Sequence, residues 1–536
     1  MSEHTTEDSA ARAGHMLERA TWAARAFAAY NRDDVERIVT AVAEVAHAKS
    51  REYAEWAVRE TGFGVVEHKI IKNEACSTGI VAEYRAHDFV SPKIDATRKI
   101  VEVPRPAGVV LALTPSTNPI ATLYFKVLLS LMTRNAVVLS PHPMAKECCA
   151  DAARVLAEAA VAAGAPNGII QCVADPSIPL IEALMGDART NVILATGGTA
   201  VVRAAYSSGN PAIGVGPGNI PVFVDATADL KTAAKLIVDS KAFDNSVLCT
   251  NESVLIVEES VRASLVKELE RCGAQILDPN DAGRLSAYMF PEGRLNTAVV
   301  GKDASWIAQQ AGLRSGPRTR VLVAPFEVAV PEEPMTHEKL SPVLGLIGVP
   351  DLRSGVETAR AIIRIAGAGH SAAIHSTDAA TIMEYAAQVP VLRVAVNVGN
   401  STGASGIGTN LATTMTVGTG FAGRSSLGEN LEPRHLMNWT RIAYNSSAGF
   451  PMAEFDGLSP WRAHTGPVPA YPFASNDAPT TSPSRRSHTN GGDTIDRITA
   501  RVGQGTRGVL SRDDQQFRAE IRRLVVEELS QLINKG

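Results

Sequence analysis

The chain has no excess of positive charge, no long apolar run and few cysteines, and each shortage removes a class of function. Its 52 Lys and Arg stand against 56 Asp and Glu, a formal net charge of −4 over 536 residues. That balance excludes the basic surface on which nucleic acids or anionic membranes bind, because phosphate recognition needs clustered positive charge. No apolar stretch reaches the ~18 residues of a spanning helix. The first fifteen residues hold Glu3, His4, Glu7 and Asp8 where a signal peptide would have its apolar h-region. Cys76, Cys148, Cys149, Cys172, Cys249 and Cys272 show neither a framework spacing nor a Cys-x-x-Cys or His/Cys cluster. Disulfide staples and a zinc site are therefore not expected, and the thiols point to a reducing, cytoplasmic setting. No repeat of 20–50 residues is visible.

What remains is an ordinary globular composition, 45% hydrophobic and 20% charged with 42 glycines. A chain of this length is expected to form two or three domains. From Ser9 to Glu60, Ala, Val and Ile recur at three- and four-residue intervals, which predicts helices. Lys99–Pro104 alternates, and Gly108–Leu113 is a nearly continuous apolar run ending in Thr114-Pro115. Asn135–Ser140 precedes an Ala-rich helix from Ala145, and Asn191–Thr196 runs into Gly197-Gly198 and another helix. Buried strands that alternate with helices predict an α/β architecture with parallel sheets. Beyond Asn445, the prolines at 467, 469, 472, 479 and 483 and the Ser/Thr/Gly residues of 480–492 read as an extended linker.

Several residues are candidates for chemistry. Gly418, Gly420 and Gly423 spell Gly-x-Gly-x-x-Gly, but the dinucleotide fingerprint needs a following helix and an acidic residue about 20 positions on. Neither is present, so a glycine-rich loop at a domain junction is the preferred reading. Thr196-Gly197-Gly198-Thr199 ends a strand and opens a helix, which presents free N–H groups to a phosphate or is simply a tight connection. Cys76, Cys148, Cys149 and Cys172 sit in apolar patterns as small buried hydrophobes, and Cys272 follows an Arg/Glu-rich helix end. Cys249 differs: it falls between a helix (Leu230–Ala242) and a strand (Ser253–Val257), where a thiol can be accessible and flanked by backbone donors. His370 is a candidate acid or base, and Glu338 a candidate acceptor for ribose hydroxyls or a solvated carboxylate. Residue patterns alone reach an α/β enzyme with a candidate cysteine nucleophile.

Taken in order, the segments Thr114–Pro119, Ser140–Pro143, Ala195–Gly198, Pro211–Asn219, Phe243–Cys249, His337–Pro342 and Gly369–Ser371 resemble the aldehyde dehydrogenase superfamily, in its CoA-acylating branch. The resemblance covers about Ala13 to Tyr444. It implies that Cys249 attacks an aldehyde and carries the acyl group as a thioester. It implies an oxyanion donor in the Thr114–Pro119 loop, either Asn118 or Thr117, and a dinucleotide site formed by Thr114, Pro115, Ser140, Thr196, Gly197, Gly198, Gly216 and Glu338. NAD is the expected cofactor, with NADP as the alternative, and coenzyme A the co-substrate. Non-acylating relatives carry a water-activating glutamate in the stretch matching Gly214–Pro221, whereas here that stretch has Val215 and no carboxylate. Its loss disfavours hydrolysis and leaves transfer to a CoA thiol, with His370 as the matching candidate base.

The resemblance implies a Rossmann-like cofactor domain over 1–221, an α/β catalytic domain over 222–395, and a return to the cofactor and oligomerisation region over 396–450. A linker over 451–510 and a helix over 511–536 follow. In that last segment Phe517, Ile521, Leu524, Val525, Leu529, Leu532 and Ile533 recur at helical spacing after a capping-box-like Ser511 and Asp514. An amphipathic helix on a linker looks like the encapsulation peptides of bacterial microcompartments. The alternatives are a helix folded back on its own domain or an oligomerisation helix. The expectation is thus a homo-oligomeric, NAD-linked, acylating dehydrogenase of a short aldehyde, propanal favoured, in a microcompartment lumen with shell or cargo partners. The competing readings are a hydrolytic dehydrogenase and a catalytically silent scaffold homologue.

Overall fold

The computed structural model describes residues 6–463 together with Val468 and Tyr471. The helical N-terminal pattern resolves into Thr6–Phe27, Arg32–Ala48 and Ser50–Thr61, followed by Val66–Glu74. Asn31 caps the second by accepting from the Asp34 N–H, and Gly62 ends the third in the left-handed conformation (φ 71°). The first of these helices packs on a five-stranded parallel sheet with the spatial order Ile170–Cys172, Ala136–Pro141, Val109–Thr114, Val192–Thr196, Ala212–Val215. Every residue of Val109–Thr114 and Ala136–Pro141 is buried, as the continuous apolar runs require for strands covered on both faces.

Chain order in this sheet reverses between Val109–Thr114 and Val192–Thr196, neighbours paired from Val110↔Val192 to Leu113↔Ala195. The crevice outside the carboxyl ends of such a pair is where doubly wound sheets bind ligands. Helix Pro119–Met132 leaves the first of these strands and is buried along its whole length. Its Lys126 donates from Nζ to Leu113 O (2.6 Å) and Leu194 O (3.0 Å), tying the ends of both strands together.

A second, seven-stranded parallel sheet has the order Ala274–Ile276, Val321–Pro325, Val343–Val349, Glu252–Glu258, Ile220–Val224, Ala372–His375, Val394–Val396. A third sheet is antiparallel and joins Lys93–Asp95 and Ile100–Pro106 to Met437–Ala443, pairing segments more than 330 residues apart. Gly418, Gly420 and Gly423 lie in a loop with only a short 3-10 turn, Phe421–Gly423, and no helix after it. In the stretch read as a linker, Trp461 donates to Val90 O (2.7 Å) and lies under the Arg134 guanidinium (4.3 Å to the ring centroid). Tyr471 packs edge-on against Trp22. The remainder of that linker and the amphipathic helix expected at 511–536 lie outside the described residues. Among the described residues no helix is long and apolar enough to cross a membrane.

Candidate active site

A cleft of about 910 Å³ opens at the reversal point of the five-stranded sheet. Its wall brings together Thr114, Pro115, Thr117, Asn118, Ser140, Thr196, Gly197, Gly198, Gly216, Cys249 and Glu338, residues drawn from six separate segments. His370 is not on that wall. It is buried behind it, with Nδ1 3.1 Å from Ser371 Oγ and Nε2 without a partner among the described residues. Burial, and next the Arg393 charge, hold its imidazole down at about 3.

Cys249 sits in a turn that the chain enters by an unusual route. Asp244, Asn245 and Ser246 all have left-handed backbones (φ 50°, 49° and 62°), although none is glycine. Each such residue is strained, and the strain persists only where surrounding contacts over-determine it. The contacts are present. Val65 N–H donates to Asp244 Oδ1 (2.6 Å), Asp244 N–H to His68 Nδ1 (2.9 Å), and Asn245 Nδ2 to Gly301 O (2.9 Å). Beyond the cysteine, Asn251 accepts from Leu248 N–H (2.9 Å) and donates to Ser240 O (2.6 Å). Among the described residues, the Cys249 N–H is not taken by any carbonyl of the surrounding turns. Burial, and next the nearby Glu338 carboxylate, push the Cys249 thiol up to about 12.

Asn118 occupies the N-cap position of helix Pro119–Met132, yet its side chain makes no cap bond. Instead Nδ2 donates to Val247 O (3.2 Å) and to Thr117 Oγ1 (3.3 Å), while Oδ1 accepts from Lys72 Nζ. An N-cap asparagine ordinarily satisfies the first helical N–H groups; here that bond is given up and the carboxamide turns to the cysteine loop. Opposite it runs the 214–218 stretch. Val215 ends its strand buried on the cleft wall, and Gly218 passes so close that a Cβ there would stand 2.0 Å from Cys249 O. The Gly218 N–H donates to Glu338 Oε1 (3.2 Å), and burial raises that carboxyl to about 8.

The other end of the cleft is built for a different ligand part. Gly198 is the N-cap of helix Thr199–Ser207 without a side-chain cap bond, and a Cβ on it would meet nothing within 4 Å. The first N–H groups of that helix are thus available to an anion. Thr114 Oγ1 and Ser140 Oγ are buried without partners among the described residues. None of the described residues lining the cleft is Lys or Arg; its ionisable groups are Glu182, Glu338, His142 and Cys249. Lys69, Lys72 and Asp244, which hold the cysteine and asparagine loops together, escape a reading of the sequence alone. Lysines three apart on a polar helix read as solvated, and only their burial shows otherwise. All six cysteines are free thiols.

Residues 2–410 match the aldehyde dehydrogenase family model. The bifunctional aldehyde-alcohol dehydrogenase of Escherichia coli is 37% identical over 434 residues, 80% of this chain and 49% of that protein. The chain thus spans about half the length of the first curated relatives it matches. The acetylating succinate-semialdehyde dehydrogenase of Clostridium kluyveri is 34% identical over 82% of this chain and 97% of its own. An acetylating aldehyde dehydrogenase from Geobacillus thermoglucosidasius superimposes with a TM-score of 0.81 at 36% identity, covering 82% of this chain and 98% of that one. Two propionaldehyde dehydrogenases superimpose at 27% identity over 81% of this chain. One, from a fucose-utilisation microcompartment of Clostridium phytofermentans, covers 98% of its own chain at TM-score 0.73. The other, from Rhodopseudomonas palustris with bound CoA and an acylated cysteine, covers 97% at 0.72.

Proposed function

Because the chain belongs to the aldehyde dehydrogenase family, we propose that it is a CoA-acylating member that oxidises a short, uncharged aldehyde to its acyl-CoA. The observation that carries this reading is the cleft around Cys249. It pairs one partly buried thiol with two hydrogen-bond donors and has no carboxylate between Gly214 and Gly218. Cys249 releases its thiol proton to solvent and its sulfur adds to the carbonyl carbon. The electron pair displaced to oxygen is met by the Cys249 N–H and by the Asn118 Nδ2 hydrogen that swings over from its long contact with Thr117 Oγ1. Asn118 is preferred to Thr117 as side-chain donor because its amide already faces the cysteine loop through Val247 O. Collapse of the oxyanion expels a hydride and leaves a thioester on Cys249. NAD, when bound, accepts that hydride.

The residues fit a dinucleotide. The unclosed end of helix Thr199–Ser207 suits a pyrophosphate, and Glu338 suits a ribose diol. The unpartnered Thr114 and Ser140 hydroxyls supply further polar contacts. A cleft of this size lies at the upper end of small-molecule sites. With no Lys or Arg on the described wall, a 2′-phosphate would find no counter-charge, which favours NAD over NADP. The same absence favours an aliphatic aldehyde over an anionic one, and Val215, Val247, Leu248 and Leu340 give the cleft an apolar side near the thiol. Propanal is the leading substrate.

Water without a base attacks the thioester poorly, whereas the CoA thiol is partly ionised near neutral pH and intrinsically reactive. Attack of that thiolate on the acyl carbon releases acyl-CoA and returns the Cys249 thiolate. His370 is assigned a secondary part: with its imidazole held near 3 it is a weak acceptor, so the thiol's own ionisation carries the attack. The five-stranded sheet (1–221) is assigned to the cofactor and the seven-stranded sheet (222–395) to the nucleophile. The 396–450 region, with the exposed strand Met437–Ala443, is assigned to oligomerisation. The amphipathic pattern of 511–536, and the microcompartment origin of one similar structure, support packaging in a microcompartment lumen. Incubating the purified chain with propanal, NAD and CoA should yield NADH and propionyl-CoA in equal amounts. NADH formed independently of CoA, with free acid as product, would establish the hydrolytic reading instead. Removing residues 511–536 should leave turnover intact and abolish shell association; unchanged association would end the packaging proposal.

A further inference from the structure

Behind the candidate site lies a charged cluster whose chemistry the cleft wall alone does not use. Helix Val66–Glu74 turns Lys69 and Lys72, one helical turn apart, inwards onto a single carboxylate, Asp244. Lys69 Nζ donates to Asp244 Oδ2 (3.0 Å) and to Thr117 O (3.0 Å); Lys72 Nζ donates to the same Oδ2 and to Asn118 Oδ1. All three side chains are buried, at 4%, 1% and 0% exposure. A buried carboxylate with one ammonium would be neutral; burial lowers Lys72 to about 8 against the opposing pull of Asp244, so below that pH the second ammonium leaves the cluster with a net positive charge. The backbone makes room for it: Gly64 (φ 83°) leaves space for the Asp244 carboxylate, which a Cβ there would meet at 2.1 Å.

The cluster also settles which way the Asn118 carboxamide points. Lys72 Nζ can only donate and Val247 O can only accept, so Oδ1 must face the lysine and Nδ2 the cysteine loop. A flipped amide would set donor against donor and acceptor against acceptor.

We propose that Lys72 is a positioning residue for acyl transfer: anchored on Asp244, it locks the Asn118 carboxamide with its nitrogen towards the Cys249 loop. The inference rests on the acylating reading above. A donor fixed before the reaction costs no reorganisation when charge develops, and its loss in other enzymes lowers kcat about 10²–10³-fold.

The test is a double-mutant cycle on the full chain with propanal, NAD and CoA, using Lys72→Met, Asn118→Ala and the pair. Lys72→Met leaves Lys69 and Asp244 as a neutral pair, so no lone charge is buried. We expect kcat to fall about 10²-fold, while iodoacetamide alkylates Cys249 within about twofold of the wild-type rate. Because Lys72 acts through Asn118, the pair should be no worse than Asn118→Ala alone within about threefold. Lys72→Gln keeps an N–H donor and should recover part of the loss; it carries the same cycle if the Met variant does not fold. Wild-type turnover in Lys72→Met, multiplied losses in the pair, or a parallel fall in alkylation would overturn the proposal. An inactive wild type would instead remove the acylating reading, and this proposal with it.

Discussion

Replacing Glu338 by glutamine separates the two causes that keep the Cys249 thiol protonated. Burial is the larger and the Glu338 charge the next, and together they push the thiol to about 12. Glu338 is itself raised to about 8 by burial, so below that pH it is mostly neutral and adds little. The sign follows directly. At pH 7 the wild type and the Glu338→Gln variant should be alkylated at the same slow rate. Above pH 8 Glu338 acquires its charge and opposes thiolate formation, whereas the uncharged amide of the variant does not. With a pKa near 12 the thiolate fraction rises about tenfold per pH unit. The variant should therefore gain roughly a hundredfold in alkylation rate between pH 8 and 10. At pH 10 the wild type should lag by at least about tenfold, because at an effective dielectric near 20 a charge is worth about one pKa unit even from roughly 12 Å away. The assay is iodoacetamide labelling of the cofactor-free chain, read as the mass of the Cys249 peptide so that Cys172 and Cys272 do not contribute. Superimposed curves from pH 7 to 10, or a slower variant, would refute this account of the site's electrostatics.

Val215→Glu places a carboxyl at the buried end of its strand, on the cleft wall where a water-activating base is missing. CoA-independent NADH formation, with free acid as product, should rise at least about tenfold, a conservative share of what a general base supplies. An unchanged product ratio in the folded variant would show that the missing base does not decide the acceptor. Gly369→Ala forces a side chain into a left-handed backbone (φ 73°) and within 1.8 Å of Thr419 O. Strain and overpacking together should cost about 2–5 kcal/mol in urea unfolding; a loss below about 0.5 kcal/mol would contradict the packing described.

The legible part of this molecule is the part written in contiguous segments. Val109–Thr114 and Asn191–Thr196 announce buried parallel strands by composition alone, and the chemistry-bearing residues sit at their carboxyl ends, which is why ordered motifs locate the cleft. The glycine string at 418–423 is a loop, as the lack of a helical pattern after it implies. What stays hidden depends on distance along the chain. Lys69 and Lys72 meet Asp244 across more than 170 residues, and nothing in Val66–Glu74 marks its lysines as buried. The left-handed run at Asp244–Ser246 contains no glycine to betray it. His370 belongs to a motif that resembles the family's, yet only the folded chain shows it set back from the cleft wall. Trp461, in a proline-rich stretch, finds its place through a cation–π contact with Arg134 that no local pattern encodes.

At the centre of the proposed chemistry, Cys249 carries an acyl group awaiting CoA. Mixing the full chain with NAD and isotopically labelled propanal, without CoA, and mapping the adduct by peptide mass tests this most directly. A propionyl group should appear on Cys249, persist, and leave as propionyl-CoA once CoA is added. No adduct at Cys249, or one lost as free acid at the same rate with and without CoA, would contradict it.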